Sequence, residues 1–128
     1  MDQYNISIYS NDLYKDFKEI WESSYEDVPP ESALPSVGFV VGDKKLIGFI
    51  ANTDCDFMIC TWYACNPNNS KRESYNSLKK YFMACKEYAK YSGKKHLFVY
   101  SNYSGIIRLL KSLNFHSIEK GHMACKVI

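Results

Sequence analysis

Cysteines and histidines are the side chains of this sequence best suited to metal binding or nucleophilic chemistry. The 128-residue chain carries them at Cys55, Cys60, Cys65, Cys85, Cys125, His96, His116 and His122. No two cysteines have the C-x-x-C spacing of a zinc or redox site, and the histidines do not fall four apart on an evident helix. An odd number of cysteines without an export signal favours reduced thiols, buried as small apolar side chains. The spacing therefore predicts no metal site.

The clearest local motif is Ser70-x-x-Glu73, which predicts a capping box at the start of a helix. In such a box the serine side chain accepts a hydrogen bond from the Glu73 amide, and the glutamate carboxylate accepts one from the Ser70 amide. Apolar side chains then recur at steps of three and four residues, at Tyr75, Leu78, Phe82, Cys85 and Ala89. This spacing predicts a long helix with one buried face, ended by Gly93.

Charge is divided unevenly along the chain. The net charge is +2, but residues 1–70 carry −7 and residues 71–128 carry +9. Such a division favours two electrostatic tasks on one small protein, with anions and cations bound at different places. Solvated faces that merely differ in charge are the alternative.

Length and composition exclude several classes of protein for this chain. Apolar residues make up 46% of the chain and charged residues 23%, which excludes a disordered or fibrous chain. No apolar run approaches the roughly 20 residues that span a bilayer. The first ten residues have neither a basic start nor a long apolar stretch, so no signal peptide is expected. We therefore expect a soluble cytoplasmic protein with one domain, residues 1–128, and no membrane partner.

Strand and helix patterns alternate in a defined order. Strands are predicted at residues 5–9, 37–41, 46–52, 57–65, 96–101, 116–119 and 123–127, and helices after Ser10, Ser70 and Tyr103. The order βαβββαβαββ predicts an α+β fold with one parallel crossover, between the strands ending near Cys65 and Ser101. The strand at 57–65 is apolar on both faces and belongs in the middle of the sheet. Three prolines make residues 25–36 a surface loop.

This order resembles the fold of the GNAT (Gcn5-related N-acetyltransferase) superfamily over almost the whole chain. The hairpin VGDKKLIGFI resembles that family's second and third strands, including Gly48. The segment Tyr63-Ala64-Cys65-Asn66-Pro67 resembles the end of the fourth strand, and IRLLKSLNF resembles the closing helix. Small GNAT-like proteins of tailed bacteriophages are similar in their IR-x-L-K helix. The resemblance implies a mixed sheet, mostly antiparallel, with one splayed parallel pair.

In that family acetyl-CoA lies where the fourth and fifth strands separate, and its pyrophosphate binds amides at the start of the following helix. The resemblance places cofactor contacts at Tyr63, Ala64, Cys65, Lys71, Arg72, Ser74 and Asn102. Lys71 and Arg72 are equally explained as solvated residues of a basic face. Asn102 is also explained as the cap of the last helix, and Cys65 as a buried thiol.

The sequence departs from the family pattern at three positions. Glu73 and Tyr75 stand where the family has the two glycines of its pyrophosphate loop, so a carboxylate and a ring replace permissive backbone. Leu110 stands where the family has a tyrosine that protonates the leaving thiolate. Tyr103 or Ser104, at the start of the same helix, would have to replace that tyrosine. The departures predict a degenerate acyl-CoA site.

Candidates for the base that deprotonates the acceptor are aspartates between the third and fourth predicted strands and acids of the loop at residues 25–36, a region that in the family helps to wall the acceptor site. We assign this role to Asp56, with Asp54 as its neighbour; both are also explained as turn formers. The acceptor implied by the resemblance is a small amine, or a lysine or N-terminus of a protein. An acidic first half of the chain would attract such a cation.

Two further functions remain open on the sequence alone. A GNAT-fold protein without catalysis would serve as a structural or interaction module, with phage structural proteins as partners and the host cytoplasm or the virion as its location. Its many tyrosines, eleven in all, suit protein interfaces. Nucleic-acid binding by the basic half is a third function, disfavoured because no recognised reading module is present.

Overall fold

The computed structural model describes residues 3–101, 103–119 and 123–127. One seven-stranded sheet runs through it in the order β1-β2-β3-β4-β5-β7-β6. The strands are β1 (Ile6–Ile8), β2 (Val37–Val41), β3 (Leu46–Asn52), β4 (Phe57–Cys65), β5 (His96–Tyr100), β6 (His116–Glu119) and β7 (Met123–Val127). The helices are α1 (Tyr14–Glu22), α2 (Lys71–Tyr91) and α3 (Ser104–Ser112). The predicted α+β class and element order are confirmed.

The central pair of the sheet, β4 and β5, is also its only parallel pair among the described strands. Helix α2 makes the crossover between these two strands, as a parallel connection requires. Strand β4 is fourth of seven, as its apolar character on both faces predicts. None of the described helices is both long and apolar enough to cross a membrane.

Each face of the sheet is covered by helices. Phe17 and Trp21 of α1 pack on one face with Phe49 of β3. Phe82 of α2 and Leu109 of α3 belong to the core on the other face. Successive side chains of β2 and β3 alternate between these two cores, as they do in an extended strand. The same sheet therefore contributes side chains to the core on each of its faces.

The set of buried residues on α2 differs in part from the predicted set. Tyr75 is 47% exposed, whereas Ser77 and Tyr81 are fully buried. The Tyr81 ring fits beside Gly48, and its hydroxyl donates a hydrogen bond to the Phe49 carbonyl oxygen. Because Gly48 has no side chain, the large Tyr81 ring can enter the core. The buried face of α2 therefore includes residues other than those predicted.

The first helix also begins later than predicted. A short 3-10 turn occupies Asn11–Leu13 before α1 starts at Tyr14. The Ser10 hydroxyl donates a hydrogen bond to the Asp12 carboxylate and caps no amide.

Gly48→Ala should destabilise the fold by about 2–3 kcal/mol, because overpacking a filled core forces neighbours to move. A Cβ atom at this position would lie 2.6 Å from both Tyr63 Cβ and Tyr81 Cε1. Gly105→Ala is the matched control, since nothing lies within 4 Å of its Cβ position in α3; it should gain about 0.5 kcal/mol. Chemical denaturation of both variants measures the difference. Equal stability of the two would contradict this account of Gly48.

Candidate active site

A β-bulge interrupts β4 at Trp62. Residues Ile47 and Phe49 of β3 are two apart, but their partners on β4, Ala64 and Thr61, are three apart. The extra residue allows Trp62 to adopt a φ of 49°, a left-handed conformation that costs a bulky side chain roughly 1–3 kcal/mol. Such strain persists only where the surrounding structure imposes it, and it concentrates at functional sites.

The bulge changes which face of the sheet the following side chains occupy. In a regular strand, residues two apart share a face, so Trp62 would lie with Cys60 in the α2 core. Instead Trp62 packs with the α1 cluster, while Tyr63 packs against the α2 core. The bulge therefore turns the indole towards α1 and the phenol towards α2.

Strands β4 and β5 separate immediately before the bulge. Their parallel pairing runs from Phe57 opposite His96 to Cys60 opposite Val99, and no pair follows in the described chain. The β4 backbone beyond Cys60 consequently has no β5 partner, which leaves main-chain donors and acceptors for a ligand lying between the strands. The splayed parallel pair expected from the resemblance is present.

The separation of the strands opens a cavity of about 360 Å³, which we call the aromatic cavity. Six aromatic side chains line it: Trp21, Tyr25, Trp62, Tyr63, Tyr100 and Tyr103. Its other described lining residues are Ile59, Cys60, Thr61, Ser101 and Ile106. None of the described lining residues carries a charge, so hydroxyl groups supply most of the polar side-chain chemistry.

A second space, of about 500 Å³, lies between the starts of α2 and α3, and we call it the helix groove. Ser70, Lys71 and Ser74 line it from α2, and Ser104 and Gly105 line it from α3. Tyr103 and Ile106 line both spaces. The helix groove and the aromatic cavity therefore meet at Tyr103, directly before the first turn of α3.

Tyr63 crosses the gap between the separated strands. Its hydroxyl donates a hydrogen bond of 3.2 Å to the Tyr100 carbonyl oxygen, while its ring packs on Tyr81 and Phe82 of α2. Burial raises the pKa of Tyr63, so this hydroxyl stays protonated and keeps its proton for the hydrogen bond. Tyr63 therefore links the separated strands and the α2 core.

The start of α2 has the predicted capping box. The Glu73 amide donates to Ser70 Oγ over 3.1 Å, and the Ser70 amide donates to Glu73 Oε1 over 3.0 Å. Since the first amides of a helix have no partners within it, this leaves those of Lys71 and Arg72 for an incoming anion. Two of the four amides at this helix start are thus already occupied.

Glu73 is held by a second contact from the β2–β3 turn. Lys45 Nζ forms a hydrogen-bonded ion pair with Glu73 Oε2. This contact, followed by the bond from the Ser70 amide, lowers the pKa of Glu73 from about 4.5 to about 2. The carboxylate is therefore ionised at neutral pH, and it stands at the helix start where a phosphate would bind.

Acidification should weaken the fold through Glu73. Because its folded pKa of about 2 lies below its ordinary value, the ionised carboxylate stabilises the protein fully above about pH 5, and this contribution is lost as pH falls towards about 2. Glu73→Gln, which does not titrate, should show a smaller drop in thermal midpoint between about pH 6 and about pH 3. If both midpoints fall in parallel, Glu73 is not the group responsible.

The sequence-predicted cofactor residues are divided between the aromatic cavity, the helix groove and positions outside both. Tyr63 lines the aromatic cavity, and Lys71 and Ser74 line the groove. Ala64 is buried on the α1 side of β4. Cys65 is half-buried beside Ser74, and burial raises the pKa of its thiol, which disfavours the reactive thiolate.

Arg72 is exposed and lies outside the described lining of the groove. Asn102 lies outside the described residues.

The predicted catalytic residues are not brought together. Tyr103 stands at the junction of the two spaces. Asp56 is exposed directly before β4 begins at Phe57, at the opposite end of the strand from the bulge. Thr61 lies five positions along the chain from Asp56, which is roughly 16 Å at 3.3 Å per residue of extended strand. Leu110 is buried in the α2 core, 1% exposed.

The sequence patterns assigned Trp21 no role in a site and placed Tyr25 only in a surface loop. Both line the aromatic cavity, and their rings stack with centroids 4.2 Å apart. Burial, followed by the neighbouring Tyr103 hydroxyl, raises the pKa of Tyr25. The loop whose acids were expected to wall the acceptor site therefore contributes an aromatic side chain to the cavity. The sequence signal that could have indicated this is the spacing of two aromatic residues four positions apart.

No group of three or more histidine, cysteine or acidic side chains that could hold a metal ion occurs among the described residues. Four cysteines, including buried Cys60 and Cys85, are free thiols.

Solved structures share the fold of this chain, although neither a protein-family model nor a curated protein sequence matches it. N-acetylglutamate synthase from Neisseria gonorrhoeae, solved with coenzyme A and L-arginine, has a TM-score of 0.75 at 11% identity over 99% of this chain. The chain spans only 34% of the length of that enzyme. The whole synthase therefore includes much that this chain does not match.

Two shorter proteins match over nearly their whole length. YncA from Salmonella typhimurium, solved with its cofactor acetyl-CoA, has a TM-score of 0.69 at 9% identity, covering 98% of this chain and 94% of its own. A GNAT family acetyltransferase from Brucella melitensis in complex with acetyl-CoA has a TM-score of 0.59 at 7% identity, covering 98% and 89%. At such identities the likeness shows the fold, which is that of the GNAT acetyltransferases.

Proposed function

We propose that this protein is a GNAT-type acyltransferase that transfers an acetyl group from acetyl-CoA to an amine, through a degenerate acyl-CoA site. The observation that carries the proposal is the continuity of the two spaces. The gap between β4 and β5 joins the helix groove at Tyr103. Similar structures contain CoA or acetyl-CoA, which supports the same ligand class here.

The residues present fit the extended part of acetyl-CoA. The β4 backbone from Thr61 to Tyr63 lacks a β5 partner and would pair with the amides of the pantetheine arm. Lys71 and the two uncapped amides at the start of α2 would hold the pyrophosphate, with Ser74 beside them. Arg72 and Asn102 remain proposed contacts to the same end of the ligand.

The pyrophosphate end fits less well, which is why we call the site degenerate. The capping box occupies two amides, and the ionised Glu73 carboxylate would repel the phosphates. Tyr75, half-exposed, lines the groove where a glycine would leave room. We therefore expect acetyl-CoA to bind weakly.

Tyr103 is the proposed proton donor. Acetyl-CoA supplies the acetyl group as a thioester. As the amine nitrogen bonds to the carbonyl carbon and the carbon–sulfur bond breaks, the leaving sulfur takes the bond's electron pair and the proton of the Tyr103 hydroxyl. The proton lost by the amine goes to water, because the described lining has no carboxylate. Water then reprotonates the phenolate.

The acceptor is proposed to be a small amine, or a lysine or N-terminus of a protein. Both kinds are cationic in water and would be attracted by the acidic first half of the chain, whose net charge is −7. We propose that the reaction takes place in the cytoplasm, which is the host cytoplasm for a phage-encoded chain.

An acetylation assay tests the proposed function. The protein is incubated with acetyl-CoA and, separately, a polyamine, an aminoglycoside and a lysine peptide; thiol release and product mass are followed. At least one class should give acetylated product above the protein-free rate, and that rate should fall with Tyr103→Phe. No product with any class, while acetyl-CoA binds, would refute catalysis.

A non-catalytic interaction module is the second candidate, and the contacts of Glu73 favour it. The capping box already occupies two of the four amides at the helix start that a cofactor would use, and Lys45 holds the Glu73 carboxylate there. Exposed tyrosines, among them Tyr75, Tyr91 and Tyr100, would then serve a protein partner. The resemblance to small phage proteins makes a phage structural protein the proposed partner, in the virion.

A further inference from the structure

The aromatic cavity combines two features that suit an organic cation. Both tryptophans of the chain, Trp21 and Trp62, lie in it with four tyrosines. The indole rings make an edge-to-face contact with centroids 5.4 Å apart. Ring faces carry negative electrostatic potential and attract cations that approach within about 6 Å of the ring centre.

The chain segment that supplies two of the cavity's rings is acidic. Residues 19–43 carry six acidic side chains and no lysine or arginine, and Trp21 and Tyr25 lie within that segment. Glu22 and Glu26, each next to one of these rings in sequence, are exposed. By contrast, Lys71 lines the helix groove beyond Tyr103. The chain is thus acidic where it supplies Trp21 and Tyr25 to the cavity and basic where Lys71 lines the groove.

Trp62 reaches this position only through strain. Its positive φ within the β4 bulge brings the indole to the α1 side of the sheet, against Trp21. A glycine would adopt the same backbone without strain. The strain therefore accompanies the indole and is not required by the bulge itself.

We propose that the aromatic cavity binds an alkylammonium group through the faces of its rings. The assignment of this group to the acceptor substrate rests on the proposed function; the binding of the cation does not. Ring faces recognise the charge and shape of the cation without a carboxylate, so quaternary ammonium ions should bind as well as primary ones.

Tryptophan fluorescence tests the proposal directly, because both tryptophans lie in the cavity and no other residue contributes indole emission. The protein, without CoA, is titrated with choline and with its uncharged counterpart of equal shape, 3,3-dimethylbutan-1-ol, at constant ionic strength. Choline should change the emission saturably and bind at least fivefold more tightly than the alcohol. Equal affinities, or no saturable change with choline, would overturn the proposal.

Trp62→Gly keeps the bulge and removes the ring, leaving Trp21 as reporter. It should weaken choline binding about fivefold, and Tyr25→Leu provides a second test should the glycine variant not fold. Tyr91→Phe, at a site 90% exposed on α2, is the control and should bind as the wild type does. Unchanged affinity in a folded Trp62→Gly protein would refute the role of the ring.

The outcome separates this inference from the proposed function. Choline binding without any acetyl transfer would refute the enzyme and leave the cation site standing. Acetyl transfer to amines by a protein that shows no preference for choline over the alcohol would refute the cation site alone.

Discussion

Tyr103→Phe should lower the turnover number for acetyl transfer by about 100-fold, with the affinity for acetyl-CoA changed less than about twofold. Tyr103 has the only proposed donor hydroxyl that lines both the aromatic cavity and the helix groove. Phenylalanine keeps the ring and removes the proton that the leaving sulfur would take. The effect should appear in kcat, since the hydroxyl acts when the carbon–sulfur bond breaks.

Two control variants sharpen this result. Tyr91→Phe makes the same change at an exposed position of α2, away from both spaces, and should leave kcat unchanged. Ser104→Ala removes the alternative hydroxyl of the helix groove. A large loss with Ser104→Ala and none with Tyr103→Phe would transfer the donor role to Ser104.

Glu73→Gly should tighten acetyl-CoA binding by about tenfold, the second large effect expected. The substitution removes a carboxylate that is ionised at neutral pH and stands at the helix start, and it frees the Ser70 amide for phosphate. The cost is a lower thermal midpoint, because the hydrogen bond from the Ser70 amide and the Lys45 ion pair are lost together. Calorimetric titration with acetyl-CoA measures the affinity.

Glu73→Gln separates charge from capping. Glutamine can still accept the hydrogen bond from the Ser70 amide, so this variant removes the charge while retaining the box. Its affinity should lie between those of the wild type and the glycine variant. Unchanged or weaker binding by Glu73→Gly would show that the pyrophosphate does not bind at the start of α2.

The strands and helices that arise from local patterns were largely predictable. The bounds of β2, β3 and β4 agree with the apolar runs that predicted them. Gly42, with a φ of 55°, lies in the turn between β2 and β3. The capping box at Ser70 and Glu73 was readable because both partners lie within one helical turn. Asn114, with a φ of 67°, ends α3 as its position predicts.

The features that shape the candidate site were not local. The bulge at Trp62 depends on how β4 pairs with β3, and one extra residue reverses the faces of the side chains that follow. The ion pair of Lys45 and Glu73 joins residues 28 apart in sequence. Tyr75 is exposed because the Tyr81 ring packs beside Gly48 and so determines which face of α2 is buried. Helical periodicity alone does not predict this contact.

The central claim is that acetyl-CoA occupies the space where β4 and β5 separate and the helix groove beyond it. Its most direct test is a titration of the isotope-labelled protein with acetyl-CoA, followed through the amide NMR signals. Saturable shifts concentrated at residues 61–63, at Lys71 and Arg72, and at Ser104 are the expected result. No shifts at millimolar acetyl-CoA, or shifts confined to other surfaces, would contradict it and leave the fold as a scaffold for protein partners.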